Sequence, residues 1–541
     1  MIMHKKEEAY VYIFFILFFL ICLYLLKDFG ISIDEDNSRI NGLVSLKYVL
    51  ELFNLDKYFL FNSVNNLPSI HEYKEQGNGV IFDFPLALIE TIFQIENERN
   101  IYLIRHTAVF IIFYISCIYL YKIIFERHKS YLLGVLAVIF LITSPRIFAE
   151  SFYNAKDICF MSLCTIGLYY GISFLKKTNI TSILKFTFFA ALAIDTRILG
   201  IFLPFIFLLI YMINMIRSKT VNKKLITNIF LFLSSLFIFT IMFWPYLWSN
   251  PVSNFFLILK KLSIYSFPIK NFYMGSYIDA LYVPWHYNLT WIFITTPLTY
   301  LIFFHLGFFF LIKRIFKRLI KIDSEISNND LWRGENERFD LVILLCLIIP
   351  MFTVIILNST LYTGWRHFYF VYPFIIIIAI NGVKILHLFY IKNKIFLCLI
   401  CFLAILPSLF WQYKHHPHQY VYFNYLLQNN FNKYFEMDYW GVSNYQTLIK
   451  LALNNKEKVS VKLIGDGDLV LTKKFLPNKY SNKIEISFDL KSADYLIDNF
   501  NRWNGKANLK DKAYIANNFK TFYELKINKN TINTIYKRSG F

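Results

Sequence analysis

Long apolar stretches separated by short polar segments occupy the first three quarters of the chain. A helix that crosses a membrane needs roughly 20 mostly apolar residues. Stretches of that kind fall at 10 to 30, 103 to 125, 131 to 145, 158 to 175, 179 to 195, 199 to 216, 225 to 247, 291 to 312, 340 to 358, 368 to 390 and 395 to 412. The pattern predicts an all-α polytopic bundle of about eleven transmembrane helices over residues 1–412. The apolar run from Phe186 to Ile216 reads as a hairpin turning near Asp195 and Arg197. A single helix there would carry Arg217, Lys219, Lys223 and Lys224 to the other side and invert every later span. The first stretch is too long for a cleaved signal peptide and is followed by no small-residue cleavage site.

Three segments between or after the spans are large enough to have a role. The first loop, 31–102, holds two apolar pieces, Gly42 to Leu55 and Val80 to Ile95, expected to lie on the membrane surface. The second, Ser249 to Thr290, is aromatic and basic. From Tyr413 onward the polarity becomes ordinary. Ser443 followed by Gln446 reads as a capping box that opens a helix toward Asn454, and VSVKLIG, KIEISFDL and ADYLID alternate as strands do. Residues 413–541 are therefore expected to form a small C-terminal extracytoplasmic α/β domain.

Composition agrees with this division. Of the 541 residues 56% are hydrophobic, 20% aromatic and only 17% charged, which excludes a soluble globular enzyme. All seven cysteines sit in apolar stretches, leaving no extracytoplasmic disulfide framework or zinc site. The net charge of +20 is distributed by loop. One side collects Lys5 and Lys6, Lys122, Arg127 and Lys129, Lys176, Lys177 and Lys185, the Arg217 cluster, the run from Lys313 through Lys321 with Arg333 and Arg338, and then Lys384, Lys392 and Lys394. By the positive-inside rule that side is the cytoplasm. The N-terminus is then cytoplasmic, and an odd span count puts the C-terminus outside. Nucleic acid is not an expected partner, because the 20 Lys and Arg of the tail are scattered among 11 acids.

Ionisable groups beside the bilayer are costly and often functional, and they recur on the outer side. ISIDEDNSR carries Asp34, Glu35, Asp36 and Arg39; GVIFDFPL carries Asp83; SPRIFAESFYNAKD carries Arg146, Glu150, Asn154, Lys156 and Asp157. Asp195 and Arg197 follow, then Asp279 and His286 in YIDALYVPWHY, and Arg366 and His367 in LYTGWRHFYFVYP. Taken singly, each has a bland reading: a solvated carboxylate, a snorkelling Arg, or, for Trp285, Tyr287, Trp291 and Trp365, an aromatic belt. Asp83 and Asp195, flanked by apolar residues on both sides, resist that reading. As a set, cations near the interface suit an anionic lipid phosphate, and a nearby carboxylate suits a general base acting on an acceptor hydroxyl. These are the parts required to move a group from a lipid phosphate to an acceptor.

The ordered series of an acidic pair after the first span, a long first loop, Asp83 before Pro85 and Leu86, and about eleven spans resembles the GT-C glycosyltransferases. Within them the chain most resembles the branch of protein O-mannosyltransferases and lipid A aminoarabinose transferases. The segments SPRIFAESFYNAKD, DTRILGI, LYTGWRHFYFVYP, YVYFNYL and FEMDYWG look similar to bacterial members, and the resemblance covers most of residues 10 to 445. It implies inverting transfer from a polyprenyl-phosphate-linked sugar on the outer face of a bacterial-type inner (plasma) membrane. The acceptor hydroxyl, on a protein, a lipid or a glycan, is not identified. It also implies Asp34 as the catalytic carboxylate, with Glu35 orienting it. Asp36 is an addition to the family pattern, so Asp34 and Asp36 could exchange roles, and FDFPL departs from the usual Pro-Pro, which leaves Asp83 without an assigned role. Arg146, Lys156, Arg197, Arg366 and His367 are candidates for the donor phosphate. Arg39, Asp83, Asn154, Asp157, Asp195 and His286 are candidates for supporting or acceptor contacts. An essential metal is not expected; if one binds, Mg²⁺ or Mn²⁺ on Asp34, Asp36, Asp83 and Asp157 is the alternative. A secondary transporter or flippase of a lipid-linked or anionic substrate is the competing reading, against which stands the absence of internal repeats. A scaffold would explain the tail but not Asp83 or Asp195.

Overall fold

The computed structural model describes residues 2–55, 66–217, 223–263, 269–320, 331–427, 430–502 and 509–541. Lys219 and Lys321, counted above among the basic loops, lie outside the described residues. The first half contains α1 (Ile2–Leu25), α2 (Asp34–Leu52), α3 (Asp83–Ile92), α4 (Glu98–His128), α5 (Tyr131–Ile142), α6 (Pro145–Glu150), α7 (Asp157–Lys176), α8 (Ile180–Thr196), α9 (Phe202–Arg217) and α10 (Lys223–Phe243). After α11 (Pro251–Ser263) and the hairpin β1 (Lys270–Tyr273) and β2 (Ser276–Asp279) come α12 (Tyr287–Thr295), α13 (Leu298–Ile320), α14 (Gly334–Ile356), α15 (Tyr372–Phe389) and α16 (Lys394–Lys414).

Among the described residues nine helical segments are long and apolar enough to cross a membrane. The other two expected spans are shorter helices, α5 and α8. At 1.5 Å per residue α5 rises only about 18 Å, and α6 continues it after a break at Thr143 and Ser144. The hairpin reading of 186–216 holds: α8 stops at Thr196 and Arg197 is extended (φ −149°, ψ 127°) before the chain turns into α9. The two apolar pieces of the first loop are α2 and α3, which pack on each other through Leu43, Leu46, Leu50 and Ala87. The α13 and α15 backbones come within van der Waals reach, since a Cβ on Gly307 would overlap the Ile378 carbonyl and one on Gly382 the Phe303 carbonyl. Close approach through small residues is how helices pack in a lipid environment.

Following the chain through these helices brings the ends of α1, α8 and α16 and the starts of α4, α7 and α15 to one end of the bundle. Tyr420, Val421, Tyr422, Phe423, Phe431, Phe435, Met437, Tyr439, Trp440 and Val442 pack at that end within the bundle's apolar core. They lead into α17 (Ser443–Asn454), β3 (Val459–Leu463), α18 (Leu469–Phe475), α19 (Asn478–Ser481), β4 (Ile484–Ile486), β5 (Tyr495–Asp498), α20 (Leu509–Asn518), β6 (Phe519–Ile527) and β7 (Asn530–Arg538). The sheet order is β4-β3-β5-β7-β6, with β3 parallel to both β4 and β5 and β7 antiparallel to β5 and β6. The three strands expected from alternation are β3, β4 and β5. The β6–β7 hairpin was not anticipated. Its apolar positions are diluted by Lys, Thr and Asn, because β6 is an edge strand whose middle faces solvent.

The sheet's core includes Ile31 and Tyr102 of the bundle, and Lys474 pairs with Glu98 at 2.9 Å. The expected capping box at Ser443 and Gln446 does not form. Gln446 accepts from His418 Nε2 at 2.7 Å and Ser443 Oγ accepts from Asn533. The start of α17 is capped instead by Asp438, which accepts from the Val442 and Ser443 amides at 3.0 Å each. A carboxylate from the preceding loop satisfies the open donors as well as a local hydroxyl would.

Candidate active site

The segment ISIDEDNSR starts α2 directly, so three successive acids occupy one helical turn, where the positive end of the helix favours them. At about 100° per residue they point in three directions. Glu35 turns inward, accepting the Ser32 amide at 2.7 Å and standing 2.9 Å from His106 Nε2. Asp36 accepts from the Tyr102 hydroxyl at 2.7 Å. Asp34, 47% exposed at its side chain, lines a cavity of about 210 Å³ and accepts from Arg366 at 2.8 Å through Oδ2.

Arg366 is buried between the faces of Trp440 and Tyr362, with ring centroids 4.6 and 5.0 Å from its guanidinium carbon. It also lies 3.7 Å from Asp157. Asp157 pairs with Arg197 and accepts from Asn154 at 3.0 Å. The other amide hydrogen of Asn154 goes to Glu150 at 2.7 Å, and Glu150 further accepts from Tyr369 at 2.6 Å and Tyr439 at 2.9 Å. The spacing of Glu150, Asn154 and Asp157 across the α6–α7 connection thus becomes a continuous hydrogen-bonded wall behind Arg366.

Opposite Asp34, Lys156 donates to Asn78 Oδ1 at 2.6 Å, a neutral partner. Burial, seconded by the charge of Arg197, lowers its pKa to about 8. Asp83 also lines the cavity and is paired with Arg105 of α4. Burial raises its pKa to about 6, against the pull of Arg105 and Lys156. The loop carrying Asn78 is pinned from beneath, because Asp195 accepts the Ile81 amide at 2.6 Å. Gly79 is required there: a Cβ would overlap the Asp195 carbonyl.

Of the residues singled out from sequence, Asp34, Glu35, Asp83, Asn154, Lys156 and Arg366 therefore share one cavity. Asp157 and Arg197 stand directly behind it. The others are engaged elsewhere. Arg39 forms a forked pair with Glu90. Arg146 is buried among Trp291, Phe423 and Tyr439 and donates to the Tyr439 hydroxyl at 3.2 Å. His286 bonds to Tyr273 at 2.8 Å, and His367 packs edge-on against Tyr362. Asp195 is fully buried in its structural role. Tyr287, Trp291 and Trp365 are buried as well, and of the four aromatics read as a belt only Trp285 is exposed.

The four aspartates named as a possible metal set are held by Arg366, Tyr102, Arg105 and Arg197, and among the described residues no three His, Cys, Asp or Glu side chains cluster as a metal site requires. Sequence reasoning missed Asn78, Tyr362, Trp440 and Arg105. The last had a visible signal: Arg105 and His106 interrupt the apolar run of α4, the same criterion that singled out Asp83.

No family model and no curated protein matches the sequence. Among solved structures the chain is similar to ArnT from Cupriavidus metallidurans in the apo state, at 10% identity and a TM-score of 0.47. It is also similar to the same protein bound to undecaprenyl phosphate, at 9% identity and a TM-score of 0.45. Each alignment covers 97% of both chains.

Proposed function

We propose that the chain is a membrane glycosyltransferase of the GT-C type, moving a sugar from a polyprenyl-phosphate donor to an acceptor hydroxyl on the extracytoplasmic face with inversion. The observation that carries this reading is one small cavity at the ends of the apolar helices, in which a half-exposed carboxylate (Asp34) faces two cations (Lys156 and Arg366). The ordered motifs described from sequence support it independently. Arg366 engages Oδ2 of Asp34 and leaves Oδ1 without a hydrogen bond among the described residues. In the proposed reaction Oδ1 takes the proton from the acceptor hydroxyl, whose oxygen bonds to the anomeric carbon. The bond from that carbon to the phosphate oxygen breaks, and its electron pair leaves with the polyprenyl phosphate. Lys156, whose nearest partner is an uncharged amide, offsets the developing phosphate charge, aided by Arg366. A transporter would bind its substrate near the bilayer midplane, whereas Asp34, Asp157, Arg197 and Arg366 all stand at helix ends.

The test is binding of a polyprenyl phosphate by the purified chain in lipid nanodiscs. Saturable binding that is weakened by Lys156→Ala supports the reading. Binding unchanged by that substitution removes Lys156 from the donor site, and no binding by the wild type removes the donor altogether.

A further inference from the structure

A second cavity, of about 1100 Å³, opens between the β1–β2 hairpin, the segment from Phe435 to Tyr439 and the C-terminal sheet. Its position follows from the sheet's topology. In the order β4-β3-β5, the chain leaves β3 toward β4 on one side, and it leaves β5 toward β6 and β7 on the other. The crevice past the carboxyl ends of two such strands is where open α/β sheets bind ligands. Here those ends supply Asp466 from β3 and Asp498, Asn499 and Asn501 from β5. The two ends are tied together, since the Asp466 amide donates to the Asn501 carbonyl at 3.0 Å and Asn499 Nδ2 donates to the Asp466 carbonyl at 2.9 Å. Asn501 is only 9% exposed. Its Nδ2 donates to the Tyr439 carbonyl at 3.4 Å, while its Oδ1 accepts nothing among the described residues.

The lining identifies the kind of ligand. Planar amide and carboxylate groups alternate with aromatic faces, among them Phe272 and Tyr277, whose rings lie 5.0 Å apart on the hairpin. Hydroxyl-rich rings require this combination of bidentate polar groups and flat apolar surfaces. The charge does not favour an anion. Arg502 is taken up by Asp498, and among the other described lining residues Asp466, Asp511 and Glu524 face Lys270 and Lys512, while burial raises the pKa of Glu436 and Asp438 to about 7. A peptide would ordinarily add to an open strand edge, but the edge strand β6 pairs through two register irregularities, between Thr521 and Tyr523 and between Leu525 and Lys526, which make it a poor template.

The cleft and the catalytic cavity share one wall. Glu436, Asp438 and Tyr439 face the cleft, and the next residue, Trp440, lines the cavity and carries Arg366 on its face. Glu436 also accepts the Gly364 amide at 2.7 Å, two residues before Arg366. We propose that this cleft is the acceptor-binding site and that it holds an uncharged or amino-bearing glycan; the assignment as acceptor rests on the glycosyltransferase reading above, the saccharide class on the cleft alone.

The experiment exposes the full-length chain in nanodiscs to an array of neutral, amino-bearing and phosphorylated oligosaccharides, with a Ser/Thr-rich decapeptide as competitor and polyprenyl phosphate binding measured in parallel. Neutral or amino-bearing glycans should be retained. Tyr277→Ala and Asn501→Ala should each weaken retention by about tenfold, Tyr277→Phe should restore it, and none of the three should alter polyprenyl phosphate binding. Retention of no glycan, retention of phosphorylated glycans alone, displacement by the decapeptide, or indifference to all three substitutions would overturn the proposal. Glycan retention by a wild-type chain that binds no polyprenyl phosphate would sink the donor reading and leave a saccharide-binding cleft.

Discussion

Asp34 differs from its two acidic neighbours in presenting an open oxygen to the cavity: both Glu35 oxygens are engaged, by the Ser32 amide and His106, and Asp36, held by Tyr102 through one oxygen, does not line the cavity. Asp34→Asn keeps the shape and removes the proton acceptor, so turnover should fall by about 10² to 10⁴ with donor binding intact. If Asp34→Asn transfers at the wild-type rate, the catalytic carboxylate is another one. Glu35→Ala should act on stability instead, leaving the Ser32 amide unpaired at a cost of about 1 to 3 kcal/mol, read as a lower unfolding temperature. Lys156 offers a pH signature. Its pKa is lowered to about 8, so the cation proposed to meet the phosphate is present below that pH and lost above it. Donor affinity should decline as pH rises through about 8. Lys156→Arg, which does not titrate there, should remove the decline, and an identical decline in that variant would assign it to another group.

At the scale of elements, the first loop behaves as a folded unit of α2 and α3 clamped to the bundle by contacts that include Glu35 to His106, Asp83 to Arg105, and Asp195 to the Ile81 amide. Gly79 is where that clamp tolerates nothing. Gly79→Ala must push the loop off Asp195 at a cost of about 1 to 3 kcal/mol. Because Asn78 orients Lys156, donor binding should weaken along with stability; unaltered binding would show that the loop can shift without moving the site. Asp438 plays a similar part for α17. Asp438→Ala should cost about 0.5 to 2 kcal/mol, visible as faster amide exchange at the amides of Val442 and Ser443.

At the scale of the whole molecule, the two cavities and the sheet module lie at one end of the bundle, and the described basic residues Arg127, Lys129, Lys176, Arg314 and Arg338 lie at the other. A reporter fused after Phe541, which is exposed, should be active only on the extracytoplasmic side. Cytoplasmic activity there would reverse the proposed orientation of the entire site.

The helices, their approximate ends and the hairpin at Asp195 were legible in the sequence because apolar periodicity, length and helix-ending residues are local properties. The chemistry-bearing segments were legible for a related reason: an ionisable residue beside an apolar stretch is costly wherever the chain folds. Which of those residues act together was not legible. Asp34 meets Arg366 across 332 positions and Glu150 meets Tyr439 across 289, and no spacing rule spans such distances. The choice between Asp34 and Asp36 depended on backbone conformation. Once α2 begins at Asp34, one turn of helix sends the acids apart, and Tyr102 and His106 of α4 claim two of them. Tertiary packing also moved residues out of the site. Arg146, Asp195 and His286 look the same in sequence as Lys156 and Arg366, but aromatic rings, a backbone amide and a tyrosine hydroxyl engage them away from the cavity. The polar cleft beside the sheet lay wholly beyond reach, because it arises from the order β4-β3-β5-β7-β6, and strand order is settled by pairing between segments distant in the chain, which no local pattern encodes.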